Sequence, residues 1–125
     1  MPWITVETSV ELPMERRTKI AEAITAAMSA LMGKRREVTA VRFAVAAAGS
    51  WFVDAICVDA LHATVDIKIT RGTNTVAQKA ALLAKVHEAL QPLAEPSYLI
   101  IDEIDADAWG YAGLSQATRL FGSAL

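Results

Sequence analysis

Val65-Asp66-Ile67-Lys68-Ile69-Thr70, then Arg71-Gly72-Thr73-Asn74, then Thr75-Val76-Ala77-Gln78 spells a strand, a turn and the start of a helix without a break. Val65, Ile67 and Ile69 alternate with Asp66, Lys68 and Thr70, the period of a half-buried strand. Gly72 and Asn74 supply turn chemistry. Thr75 with Gln78 three residues on forms a capping box, so the helix starts there. Its expected apolar face is Val76, Leu83, Val86 and Leu90, with Leu82 beside it, and it stops near Pro92. After Pro96 comes a second strand, Tyr98-Leu99-Ile100-Ile101, and then Ala108-Trp109-Gly110-Tyr111. Strand, helix and strand in this order make a βαβ unit with parallel strands.

The first half of the chain is written in the same order. Ile4 and Val6 alternate with Thr5 and Glu7 as a strand. A helix begins near Pro13, carries Ile20, Ile24, Ala27, Met28 and Leu31 on one face, and stops at Gly33. Val41, Phe43 and Val45 alternate as a further strand, and Gly49-Ser50-Trp51-Phe52 follows as a turn into a short extended piece. Ile20, Ile24 and Met28 match Leu82, Val86 and Leu90 at a spacing of 62, and Trp51 matches Trp109 at 58. The expected architecture is therefore α/β (α+β), one domain over 1–125 built from two βαβ units, 2–58 and 62–125. Right-handed crossovers give a four-stranded sheet with both helices on one face. The other face carries apolar residues without helix cover, which predicts an oligomer.

Composition narrows the function classes. The 125 residues are 54% hydrophobic and 21% charged, with much of the apolar excess in alanine. No apolar run is long enough to span a membrane, and the start lacks the pattern of a secretory signal, so the chain is expected in the cytoplasm. A net charge of −2 offers no footprint for nucleic acid. The basic run Lys34-Arg35-Arg36 is read as complementing a helix end. Cys57 is alone and is read as a small packed residue; His62 and His87 lack ligand spacing and are read as structural or solvent-facing. No metal and no cofactor are expected. Asp102, Glu103, Asp105 and Asp107 read as a solvated edge after the last strand.

Pro2 directly precedes the first strand. If Met1 is removed, Pro2 becomes a rigid secondary amine, a base whenever burial or nearby cations pull its pKa towards neutrality.

Two fused βαβ units beginning at Pro2 resemble the tautomerase superfamily, with 4-oxalocrotonate tautomerase as the closest pattern. Thr39-Ala40-Val41-Arg42-Phe43 is similar to the family segment that carries a substrate-binding arginine, and Arg71 falls where members place a carboxylate-binding arginine. Ala108-Trp109-Gly110-Tyr111-Ala112-Gly113 resembles the aromatic-glycine hairpin that walls the site. The resemblance covers essentially the whole chain and implies a cofactor-independent enol–keto tautomerase acting on small 2-hydroxy-dienoates or 2-oxo acids. It implies Pro2, Arg71 and Arg42 as catalytic residues, with Arg71 lowering the Pro2 pKa and holding the substrate carboxylate. Trp109, Tyr111 and Trp51 are the implied substrate walls, and a homotrimer with one site per chain the implied assembly. Relatives with two fused units include cis-3-chloroacrylic acid dehalogenase and malonate semialdehyde decarboxylase. The chain departs from these: Met28 stands where the dehalogenases carry a first-helix histidine, and Gly72, Thr73 and Asn74 follow Arg71 where a second arginine is expected. A water-activating acid has no evident counterpart near Thr39-Ala40. These departures favour simple proton transfer over hydrolytic dehalogenation or decarboxylation, and keep a non-catalytic oligomeric member as the other alternative.

Overall fold

Alternating apolar residues build the two central strands, and the computed structural model, which describes residues 1–122, pairs them antiparallel. The last three residues of the expected second unit, 123–125, lie outside the described residues. β1 (Trp3–Thr8) leads to α1 (Met14–Met32), a single 3-10 turn (Arg36–Val38) and β2 (Ala40–Val45). A small hairpin, β3 (Phe52–Val53) and β4 (Ile56–Cys57), closes the first half. β5 (Ala63–Thr70), α2 (Val76–Leu90) and β6 (Tyr98–Ile104) repeat the order, followed by the hairpin β7 (Gly110–Tyr111) and β8 (Leu114–Ser115). A short helix α3 (Gln116–Phe121), which the sequence pattern did not suggest, ends the described chain. The sheet order is β2-β1-β5-β6, parallel at both outer pairs and antiparallel at the centre.

Both helices lie on one face because the strands alternate. Ile4, Val6, Val65, Ile67 and Ile69 point to that face and are fully buried against Ile20, Ile24, Met28, Leu82, Val86 and Leu90. Each such side chain contributes about 1.5–3 kcal/mol of burial. The α2 stripe is Leu82, Val86 and Leu90, matching Ile20, Ile24 and Met28, whereas Val76 is 80% exposed. Val76 is the first residue after the Thr75 cap, where a helix has not yet turned its apolar face inward.

The two halves cap each other. Arg16 of α1 donates from Nη2 to the carbonyls of Leu90 and Gln91 at the end of α2, at 2.8 and 2.7 Å. Asn74, just before α2, donates to the Met32 carbonyl at the end of α1. These bonds satisfy helix-end carbonyls that otherwise lack partners. Gly33, at φ 68°, takes the left-handed conformation that ends α1 and turns the following loop towards the start of β1.

The face without helices carries Thr5, Glu7, Arg42 and Asp66 around exposed Trp3, Tyr98 and Ile100. Lys68 bridges Asp66 and Asp102 across it, both at 2.8 Å. Of the acidic stretch, Asp105 and Asp107 are exposed after β6, as expected, whereas Asp102 and Glu103 are half-buried. Asp102 and Glu103 belong to β6, and Asp102, Glu103 and Asp105 each hold a cation, Lys68, Lys79 and Arg71 respectively. Cys57 is exposed rather than packed, because its strand β4 forms a two-residue hairpin off the main sheet. His62 is buried, and its Nδ1 lies 2.9 Å from the Pro96 carbonyl; His87 is exposed on α2.

Candidate functional site

Three elements converge on Pro2. Parallel pairing of β1 with β2 sets Trp3 opposite Ala40, so the loop before β2 must lie beside the start of β1. Ala40 N donates to the Pro2 carbonyl at 3.4 Å, and Pro2 is fully buried. Antiparallel pairing of β1 with β5 sets Trp3 opposite Lys68, which carries the end of β5 to the same edge. The β7–β8 hairpin then folds over this corner. Trp109 Nε1 donates to the buried Thr70 hydroxyl at 3.0 Å, and Gln116 N donates to the Trp109 carbonyl at 2.8 Å. Gly110 is required there: a Cβ would run into the Leu114 carbonyl across the hairpin.

The result is a cavity of about 510 Å³ lined by Met1, Pro2, Trp3, Glu37, Val38, Ala40, Trp109, Gly110 and Tyr111. Its walls are aromatic and aliphatic, and its floor is the start of β1. Tyr111 is braced from outside by Arg119, whose guanidinium lies 3.7 Å from the ring centroid and donates to the Tyr111 carbonyl at 2.8 Å. Among the described residues lining the cavity, the charged side chain is that of Glu37.

The amine that opens the chain is held below its ordinary pKa, first by burial and then by the charges of Lys34 and Arg35. Both effects disfavour the protonated form. In this structure that amine belongs to Met1, and Pro2 N is an amide. Lys34 donates from Nζ to Thr73 Oγ1 at 2.8 Å, and burial lowers its own pKa. Arg35 Nε lies 2.9 Å from Glu37 Oε1. Glu37 is held below the usual carboxylate range by its own backbone N–H and by Arg35.

These placements revise the sequence reading in part. Pro2, Trp109 and Tyr111 come together in one cavity. Arg71 stands outside the lining: its Nε binds Asp105 at 2.7 Å and its Nη2 the Glu103 carbonyl at 3.0 Å. The cations acting on the terminal amine are Lys34 and Arg35, where Arg71 was expected. Arg42 is exposed on the helix-free face opposite Thr5. Trp51 sits at another cleft with Glu7, Phe52 and Thr64, its ring 6.4 Å from that of His62.

The basic run 34–36 does not sit in the last turn of α1, which holds no basic residue. It lies past the Gly33 cap, beside the chain start. Glu37 likewise supplies an acid close to Thr39-Ala40, where none was evident. The signal for both was present: residues just before a strand parallel to β1 must neighbour the first residue of β1. No three His, Cys, Asp or Glu side chains among the described residues converge as metal ligands would.

A family model described as tautomerase enzyme matches residues 64–119. The fold resembles that of F6 fused 4-OT, a wild-type asymmetric trimer, at 17% identity, with a TM-score of 0.84 over 94% of this chain and 98% of that one. Pt0534, solved inactivated by 2-oxo-3-pentynoate, is similar at 15% identity and TM-score 0.83, with the same coverage of both chains. N1, a member of the cis-3-chloroacrylic acid dehalogenase family, is similar at 23% identity and TM-score 0.77, over 90% of this chain and 82% of that one. A comparison with curated proteins gives no match.

Proposed function

We propose that the chain is a cofactor-independent enol–keto tautomerase of small 2-hydroxy-dienoates or 2-oxo acids; the tautomerase model over residues 64–119 and the fold shared with F6 fused 4-OT support this reading. The observation that carries this reading is the fully buried Pro2 at the start of β1, in one cavity with Trp109 and Tyr111. Removal of Met1 moves the free amine one residue inward to Pro2, which is fully buried. The Pro2 nitrogen then takes the proton from the enol oxygen and returns it to carbon. The positive charges of Lys34 and Arg35 near the chain start disfavour the protonated nitrogen and attract the substrate carboxylate. Trp3, Val38, Trp109 and Tyr111 exclude water from the enolate.

The test is ketonisation of a 2-hydroxy-dienoate by protein shown by intact mass to lack Met1. Pro2→Ala is expected to cost about a hundredfold in rate, the lower end of general acid–base catalysis. A variant as fast as the parent would end the proposal. 2-Oxo-3-pentynoate, which inactivates Pt0534, is an electron-poor alkyne that a free secondary amine attacks at carbon. It is expected to label Pro2 once per chain.

Fused relatives solved as trimers and the exposed Trp3, Tyr98 and Ile100 support a homotrimer, which Ile100→Asp is expected to dissociate in analytical ultracentrifugation. A second reading, hydration of an acrylate-type acid, draws on the Glu37 carboxylate in the lining. Release of halide or carbon dioxide from such substrates would favour it over tautomerisation.

A further inference from the structure

We infer that the Arg35–Glu37 pair is a built-in specificity device that selects monocarboxylates with an apolar tail and rejects dicarboxylates. The inference rests on the reading of this cavity as a 2-oxo or enol acid site. Three observations support it. First, Glu37 of the lining holds Arg35 Nε at 2.9 Å, so a cation stands behind the charged side chain of the lining while the other walls are aromatic and aliphatic. Second, other cations at this corner are committed elsewhere: Arg71 to Asp105 and Glu103, Lys79 to Glu103, Arg119 to the outside of Tyr111. Among its described residues the cavity lining offers a second substrate carboxylate no cationic side chain. Third, the charged side chain in the lining is itself a carboxylate, and it occupies Arg35.

Glu37 therefore does two things. In the free protein its carboxylate stands in for a substrate carboxylate on Arg35, so a ligand must displace it. Glu37 and Arg35 are exposed, 64% and 67% respectively, so the displacement is cheap and the internal competitor weakens binding only about two- to five-fold. Once displaced, Glu37 remains at the cavity as an uncompensated negative charge. A monoacid points its apolar tail at Trp109 and Tyr111 and is little affected. A diacid of the same length brings a second carboxylate near Glu37, at a cost of about tenfold in affinity for like charges several ångströms apart in partly wet surroundings.

A matched pair of six-carbon probes reads this directly by isothermal titration calorimetry: 2-oxohexanoate and 2-oxoadipate. The parent protein is expected to bind the monoacid about tenfold more tightly. Glu37→Gln is expected to tighten 2-oxohexanoate two- to five-fold and to bring the two acids close to parity. Glu37→Asp keeps the charge and is expected to keep the preference. Equal or tighter binding of 2-oxoadipate by the parent overturns the inference. So does an unchanged preference in Glu37→Gln, or the absence of binding by both acids. Binding is measured without turnover and can be repeated in Pro2→Ala. An inactive protein that still prefers the monoacid would thus sink the tautomerase reading and leave the Glu37 device standing.

Discussion

The Trp109–Thr70 hydrogen bond fastens the β7–β8 hairpin over the cavity, and its loss can be sized. Thr70→Val keeps the shape of the side chain and removes the acceptor 3.0 Å from Trp109 Nε1. Thr70 is 3% exposed, so no water replaces its hydroxyl easily. Trp109 is only half-buried, so its N–H regains some solvent, and the penalty falls towards the low end of the range for an unpaired donor, about 1 kcal/mol. Trp109→Phe removes the donor together with some packing. In a double-mutant cycle the two changes are expected to couple by about 1 kcal/mol. Such a loss shifts the melting midpoint of a chain of this length by roughly 4 °C. The cycle is read by far-ultraviolet circular dichroism in urea at one fixed protein concentration, because association contributes to stability. Labelling by 2-oxo-3-pentynoate is followed alongside and should slow in Thr70→Val as the wall loosens. Coupling within about 0.3 kcal/mol of zero, together with unchanged labelling, would refute the idea that this bond sets the wall.

Three further outcomes follow from the same structure. Gly110→Ala forces a methyl into the Leu114 carbonyl; about 1–3 kcal/mol of stability and the hairpin's placement should be lost, visible as a lower melting midpoint and slower labelling. Lys34→Met removes a charge that depresses the terminal amine, so the pH midpoint for labelling by 2-oxo-3-pentynoate should rise; an unchanged midpoint would show that burial alone sets it. Glu103 is depressed in the folded state, chiefly by its bond to Lys79, so its contribution is present above the ordinary glutamate range and is lost as pH falls through the lowered value. The melting midpoints of the parent and Glu103→Gln should therefore differ most at neutral pH and converge in acid below about pH 4.

How much of this was legible depended on whether the signal was local. Alternation in β1, β2, β5 and β6, the Thr75–Gln78 box and the Gly33 stop are carried by neighbouring residues, and they give the sheet, its order of elements and its helix-free face. Val76 was misplaced because a hydropathy stripe ignores which turn of the helix faces the sheet. Lys34, Arg35 and Glu37 were passed over because their importance comes from register: Trp3 opposite Ala40 brings the loop before β2 to the chain start. Arg71 holds Asp105, which lies 34 residues away in sequence, and no period announces their meeting. Trp51 matches Trp109 in sequence, but its own corner is occupied by buried His62 and a continuous backbone, where the corner of Trp109 holds a chain end.

The antiparallel join between β1 and β5 has a consequence for taking the protein apart. It brings the first residues of one unit under the last hairpin of the other, so the cavity belongs to neither half: Pro2, Glu37 and Val38 come from the first, Trp109 and Tyr111 from the second. A cut in the linker between Val58 and Leu61 would yield two fragments that are each blank alone. Mixed together, they would recover the cavity in proportion to how much of that one strand pairing had reformed, so the split protein would report its own reassembly.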